Sequence, residues 1–144
     1  MPNAPEQLRL FLVEDSPADV YLVKEAMRRE GLDCAVQVAE DGEAAIGMIE
    51  SADGDSRAPV PQIVLLDVNV PMRNGNEVLE RLRRSPRYAN VPVVMISSSD
   101  SPKERTSAFA LGATEYFRKP STLEEFMQLG KLVRRLHRRQ ESAA

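Results

Sequence analysis

The run Gln62-Ile63-Val64-Leu65-Leu66-Asp67 constrains this chain more than any other segment. Consecutive apolar residues of this kind read as a strand buried on both faces, as in a parallel sheet covered by helices. An acid is almost never fully buried without a partner, so Asp67 marks the place where the strand ends and the chain emerges. In open α/β sheets that edge is the ligand crevice. Three more apolar strands end in polar residues: Leu8 to Val13 at Glu14-Asp15, Val91 to Ile96 at Ser97-Ser98, and Thr114 to Phe117 just before Lys119.

Helix patterns separate the strands. Ser16-Pro17-Ala18-Asp19 starts the first, with Ser16 as cap and Pro17 where a missing N–H costs nothing. Val20, Val23 and Met27 mark its inner face, and Gly31 ends it. Cys34, Val36 and Val38 alternate with polar residues, the pattern of a half-exposed edge strand. Asp41 to Glu50 is a second helix, Ser51 to Pro61 a loop, and Glu77 to Arg84 most of a third helix. Ser101-Pro102-Lys103-Glu104 opens the fourth with a capping-box pattern. Ser121 or Thr122 caps a single last helix whose inward stripe is Leu123, Phe126, Leu129, Leu132, Val133 and Leu136.

Alternating units of this kind imply a parallel sheet with right-handed crossovers. The first, third and fourth strands are the most apolar and belong at the centre; the second and fifth belong at the edges. The expected fold is (βα)5, a flavodoxin-like three-layer α/β sandwich with sheet order 2-1-3-4-5 and its switch point between strands one and three.

With one cysteine and one histidine among 144 residues, a thiolate- or imidazole-rich zinc site is excluded. Any metal must be held by oxygen. Cys34 reads as a small buried hydrophobe, in a chain suited to a reducing compartment. Net charge is −3, which demands neither nucleic acid nor an anionic membrane. No apolar run approaches the roughly 20 residues that span a bilayer, and Met1 to Gln7 lacks the regions of a signal peptide. The expected location is cytoplasmic.

Strand C-termini of a parallel sheet share one edge, so Glu14, Asp15, Asp67, Ser97 and Lys119 can converge. Clustered acids repel unless a hard divalent cation shares their charge, and Mg2+ suits oxygen ligands together with phosphate. Asp67 then becomes a nucleophile toward a phosphoryl group. Lys119 and the Ser97 hydroxyl stabilise the phosphoryl oxygens.

These residues in this order resemble the receiver domain of bacterial two-component response regulators, a CheY-like family. The matching pieces are Glu14-Asp15, Asp67 followed by Pro71 and Gly75, Ser97, and Tyr116 with Lys119-Pro120. The resemblance covers residues 8–139, flanked by tails over 1–7 and 140–144. It implies that Asp67 accepts phosphate from a sensor histidine kinase. It further implies that Asp15, Asp67 and the backbone carbonyl of Asn69 hold Mg2+, with Glu14 acting through water. A cis Lys119-Pro120 peptide and a switch formed by Ser97 and Tyr116 belong to the same implication. Glu14 stands where many members have Asp, and Ser97 where Thr is commoner.

The resemblance narrows to stand-alone regulators paired with bacterial phytochrome kinases, on Glu14 to Asp19, the loop before the third strand, and Lys119 to Phe126. Output is then expected through protein contacts, with a possible homodimer through the helix 4–strand 5–helix 5 face. A chemotaxis-type effector or a phosphorelay intermediate shares the chemistry. The last helix carries Lys131, Arg134, Arg135, Arg138 and Arg139, read as a solvated face. A phosphohydrolase of the haloacid dehalogenase type also uses a strand-end Asp, but needs a second acid where this chain has Asn69. A pseudo-receiver that never takes phosphate is opposed by the intact acid, hydroxyl and lysine set. The chain is therefore expected to be a phosphoacceptor rather than an enzyme.

Overall fold

The computed structural model describes residues 7–143. Its strands are β1 (Leu8–Val13), β2 (Cys34–Ala39), β3 (Ile63–Asp67), β4 (Val93–Ser97) and β5 (Glu115–Arg118). They alternate with α1 (Pro17–Arg29), α2 (Gly42–Asp53), α3 (Gly75–Arg84), α4 (Pro102–Ala110), α5 (Leu123–Phe126) and α6 (Gln128–Ala143). The sheet is parallel, in the expected order β2-β1-β3-β4-β5. Every residue of β3 and β4 is buried, whereas β2 alternates, as its half-polar sequence requires.

Period-two alternation sorts the strands' side chains into two cores. Phe11, Val13, Val64, Leu66, Val93 and Met95 face α2 and α3, meeting Ala45, Ile49, Val78, Leu79 and Leu82. Leu10, Leu12, Ile63, Leu65, Val94 and Ile96 face the other layer, meeting Val23 and Met27 of α1 and Phe126, Leu129, Val133 and Leu136 of α5 and α6. Burial of each such large side chain stabilises the fold by about 1.5–3 kcal/mol. Ser16, Asp41, Asn74, Ser101 and Thr122 each cap the following helix by accepting from a backbone N–H three residues on. These caps satisfy donors that a helix start leaves unpaired.

Four details differ from the sequence reading. Strand β4 begins at Val93, after Pro92, because proline has no donor for the ladder; the Val93 N–H donates to Thr114 Oγ1. The last helix is broken at Met127, where the Gly130 N–H donates to the Met127 carbonyl. A β-carbon at Gly130 would lie 2.4 Å from the Ala26 carbonyl oxygen, so α6 crosses α1 in backbone contact there. Cys34 is half-buried rather than buried, since β2 is an edge; desolvation pushes its thiol up to about 11, which keeps it unreactive. Residues 140–143, read as tail, continue α6, and Gln140 Nε2 donates to the Gln62 carbonyl. Of the N-terminal tail, residues 1–6 lie outside the described residues.

Candidate functional site

Register assembles the site. Val13 pairs with Leu66, Asp67 with Ile96, and Ser97 with Arg118, so Glu14, Asp67, Ser97 and Lys119 follow one another along a single rim. Gly75 holds Asp67 from behind: a β-carbon there would lie 2.6 Å from the Asp67 carbonyl oxygen. Only glycine lets α3 start so close to the strand that carries the acid.

Glu14, Asp67 and Ser97 are all buried. The Lys119 ammonium sits 2.6 Å from Asp67 Oδ2, 2.6 Å from Asp19 Oδ2 and 3.1 Å from Glu14 Oε2. Oxygens of Glu14, Asp19 and Asp67 all lie within 4.8 Å of one another. The Asn69 N–H donates to Asp67 Oδ1 at 2.8 Å. The Ser97 carbonyl accepts from the Lys119 N–H, and Ser97 Oγ accepts from the Ser99 N–H. Tyr116 is buried, with its hydroxyl donating to the Ser99 carbonyl at 3.0 Å and the Arg105 guanidinium 5.5 Å from its ring centre.

The rim thus gathers Glu14, Asp67 and Lys119 as expected, with Ser97 alongside. Asp15 departs from expectation. Its side chain is exposed and outside the group of converging carboxylates. Strand alternation sends neighbours to opposite sides. The Glu14 N–H continues the sheet by bonding the Ala39 carbonyl, so Glu14 turns in and Asp15 out. The third carboxylate is Asp19, whose place in the sequence is that of an ordinary helix start. The resemblance also implied a cis Lys119-Pro120 bond. No peptide among the described residues is cis, and trans is the lower-energy form by about 0.5–1 kcal/mol even before proline.

Three carboxylates around one ammonium leave surplus negative charge, and pKa values respond. Burial, then the hydrogen bond and charge of Asp67, push Glu14 up from 4.5 to about 8. Asp67 is itself desolvated, yet its hydrogen bonds from Glu14, Lys119 and the Asn69 N–H hold it below the ordinary value. Lys119 is also desolvated, and its carboxylate partners more than offset this and raise it. Asp67 is thus kept ionised beside a fixed cation. The donor set is all oxygen and net negative, and the Asn69 carbonyl accepts no hydrogen bond among the described residues. This chemistry fits a hard divalent cation.

A doubly wound sheet with this acid-and-lysine rim defines the receiver class. Residues 10–131 match the response regulator receiver domain, and the chain belongs to that family. Rcp1, a response regulator of Synechocystis sp., is 29% identical over 120 residues, covering 83% of this chain and 82% of Rcp1. The Mn2+-bound crystal form of Rcp1 superposes with a TM-score of 0.76 at 28% identity, over 87% of this chain and 90% of that one. The phosphorylated cyanobacterial phytochrome response regulator RcpA gives a TM-score of 0.79 at 29% identity, over 89% and 91% of the two chains. The bacteriophytochrome response regulator RtBRR gives 0.70 at 33% identity, over 85% and 75%. The chain is a response regulator receiver, and two of these similar structures, RcpA and RtBRR, are phytochrome response regulators.

Proposed function

We propose that this chain is a response regulator receiver whose Asp67 accepts a phosphoryl group from a phosphohistidine of a sensor histidine kinase. The observation that carries this reading is the Lys119 ammonium 2.6 Å from Asp67 Oδ2 within a buried acidic rim. An Asp67 oxygen attacks phosphorus as the P–N bond breaks. The bonding pair leaves with the ring nitrogen, whose imidazole carries its proton on the other nitrogen, and an acyl phosphate remains on Asp67. Lys119 donates to one phosphoryl oxygen and the Ser97 hydroxyl to another, both from fixed positions. Mg2+, when bound, supplies charge neutralisation for the phosphoryl oxygens. Glu14, Asp67 and the Asn69 carbonyl are the groups that would hold it, with the exposed Asp15 beside Glu14 as a further oxygen donor.

The hydrolase alternative lacks its second acid, since Asn69 occupies that position and its N–H is tied to Asp67. Incubation with acetyl phosphate and Mg2+, followed by intact-mass measurement, tests the reading. A single phosphoryl adduct that disappears in Asp67→Asn is expected. Multiple turnover without an adduct supports a hydrolase, and no adduct supports a pseudo-receiver.

Likeness to the phytochrome response regulators RcpA and RtBRR supports a phytochrome-type kinase as partner. Phosphotransfer from such a kinase, faster than from an unrelated histidine kinase, is the outcome that agrees. Ser97 and Tyr116 form the switch in this reading, biased by new charge-assisted hydrogen bonds at Asp67. In α4 only Ala108 is buried, and Phe109 is exposed. This supports a homodimer through α4, β5 and the last two helices; an unchanged monomer mass before and after phosphorylation removes it. The receiver extends over residues 8–139 in this proposal and acts in the cytoplasm. Among the described residues no helix is long and apolar enough to cross a membrane.

A further inference from the structure

The start of α1 holds an acid that the reaction above does not use. In a capping box the acid three residues beyond the cap reaches back to the cap's own N–H. Ser16 and Asp19 have that spacing, but the Ser16 N–H donates to Glu14 Oε1 at 3.1 Å. Ser16 Oγ still accepts from the Asp19 N–H, so the helix is capped without the Asp19 side chain. Its carboxylate is free to bond elsewhere, and it meets Lys119 Nζ at 2.6 Å. Pro17 and the serine cap make this a rigid mount.

An ammonium has three donors, and here they go to Glu14, Asp19 and Asp67. Two of those acceptors take on other work when Asp67 reacts. Asp67 becomes an acyl phosphate, and Glu14 is among the groups facing the cation. On the proposed mechanism Asp19 has neither task, although its carboxylate lies within 4.8 Å of the Glu14 and Asp67 oxygens. It is the partner whose bond to Lys119 can persist from the free to the phosphorylated protein. A flexible four-carbon stem needs such an anchor if its ammonium is to meet a phosphoryl oxygen already in place.

We propose that Asp19 is a positioning residue, anchoring the Lys119 ammonium beside Asp67 throughout phosphorylation. The inference rests on the reading of Asp67 as phosphoacceptor. A bland charge effect has the opposite sign: neutralising Asp19 would ease the approach of an anionic phosphodonor and speed the reaction.

The test follows phosphorylation by acetyl phosphate across a Mg2+ titration, read by intact mass. Wild type, Asp19→Asn, Asp19→Glu, Lys119→Met, the Asp19→Asn/Lys119→Met double variant and Asp67→Asn are compared. Asp19→Asn is expected to slow the saturated rate on the order of tenfold, less than the roughly hundredfold that a 1 Å misplacement of a catalytic group can cost. Asp19→Glu restores most of it. The slowing persists at saturating Mg2+, whatever shift in half-saturation the lost charge brings. In the Lys119→Met background Asp19→Asn adds nothing, because a residue acting through Lys119 is not additive with it. In the metal-free protein, nitrogen NMR of the Lys119 ammonium shows slow proton exchange that Asp19→Asn abolishes.

An unchanged or faster Asp19→Asn, an equal slowing in the Lys119→Met background, or a loss confined to Mg2+ half-saturation overturns the proposal. The last result would make Asp19 a cation ligand. A wild type that takes no phosphoryl group on Asp67 overturns the parent reading instead, and the NMR comparison still reports whether Asp19 holds the lysine.

Discussion

Two charged clusters sit at opposite edges of the sheet and are built on opposite terms. At the strand C-termini, Glu14, Asp19 and Asp67 share the ammonium of Lys119. At the other edge, where α2 and α3 end, Asp53 meets Arg81 at 3.0 Å and the hydroxyl of the fully buried Ser85. Ser85 Oγ in turn accepts from the N–H groups of Arg87 and Tyr88. The Arg87 guanidinium donates to the carbonyls of Ala52 and Asp55. The second cluster is balanced by the chain's own groups, and the Ser85 hydrogen bond, then Arg81, hold Asp53 below its ordinary range. The first is overloaded with negative charge, and Glu14 is pushed up to about 8. One cluster clamps two helices; the other, in the proposed function, would bind a cation and an anionic phosphoryl group, and its surplus charge costs stability.

The contrast breaks first on pH. The unfolded Glu14 loses its proton near 4.5, the folded one near 8. Between those values the unfolded chain binds fewer protons, so stability falls as pH rises and levels off above the folded value. At about 1.4 kcal/mol per unit, the metal-free protein should lose a few kcal/mol over that window. Asp67, held low, and Lys119, held high, titrate outside it. Thermal melts in EDTA from acid to alkaline pH should show the decline. Glu14→Gln should flatten it, and Mg2+, which favours the carboxylate, should reduce it. A flat wild-type profile would mean that the rim carries no excess charge.

Lys119→Met comes next. Removing the one cation from the rim should destabilise the metal-free protein by about 3 kcal/mol, the low end for breaking a buried ion pair. Added Mg2+ should then stabilise the variant more than wild type, because an internal cation no longer competes for the same carboxylates. An equal deficit with and without Mg2+ would place the lysine's contribution in packing alone.

Ser85→Ala probes the balanced cluster. It leaves the Arg87 and Tyr88 N–H groups and one Asp53 oxygen short of a partner, a cost of about 1–2 kcal/mol. Denaturant midpoints should fall by the same amount at every pH from 5 to 9 and with or without Mg2+. A Mg2+-dependent cost would show that the two clusters are coupled through α2 and α3.

The parts of this design that a sequence displays are those set by local period. Ile63 to Leu66 and Val93 to Ile96 declare themselves as buried strands; Asp67 and Ser97 stand out because each closes an apolar run, and Lys119 because it follows the last short strand and precedes Pro120. Asp19 does not, because its spacing from Ser16 is that of ordinary helix capping. Its release depends on Glu14 claiming the Ser16 N–H, a contact that spacing does not reveal. The same turn hides the exposure of Asp15, since a pair of adjacent acids looks symmetric until strand alternation separates them. The break at Met127 is equally silent, because Leu123, Phe126, Leu129 and Val133 keep helical period across it. It depends on how closely Gly130 meets Ala26.

Met72 offers the smallest and most local separation of the two edges. It lies in the loop between Asp67 and α3, is exposed, and has φ +74°. A left-handed conformation costs a non-glycine residue roughly 1–2 kcal/mol, and such strain gathers at functional rims. Met72→Gly removes that cost but adds freedom to the unfolded chain, which takes back part of the gain. The net expectation is stabilisation of about 0.5 kcal/mol, independent of pH, read as a small rise in denaturant midpoint. A loss of stability would mean that the Met72 side chain, despite its exposure, packs against the loop and holds Asn69 in register with Asp67. In that case phosphorylation by acetyl phosphate should slow in the same variant.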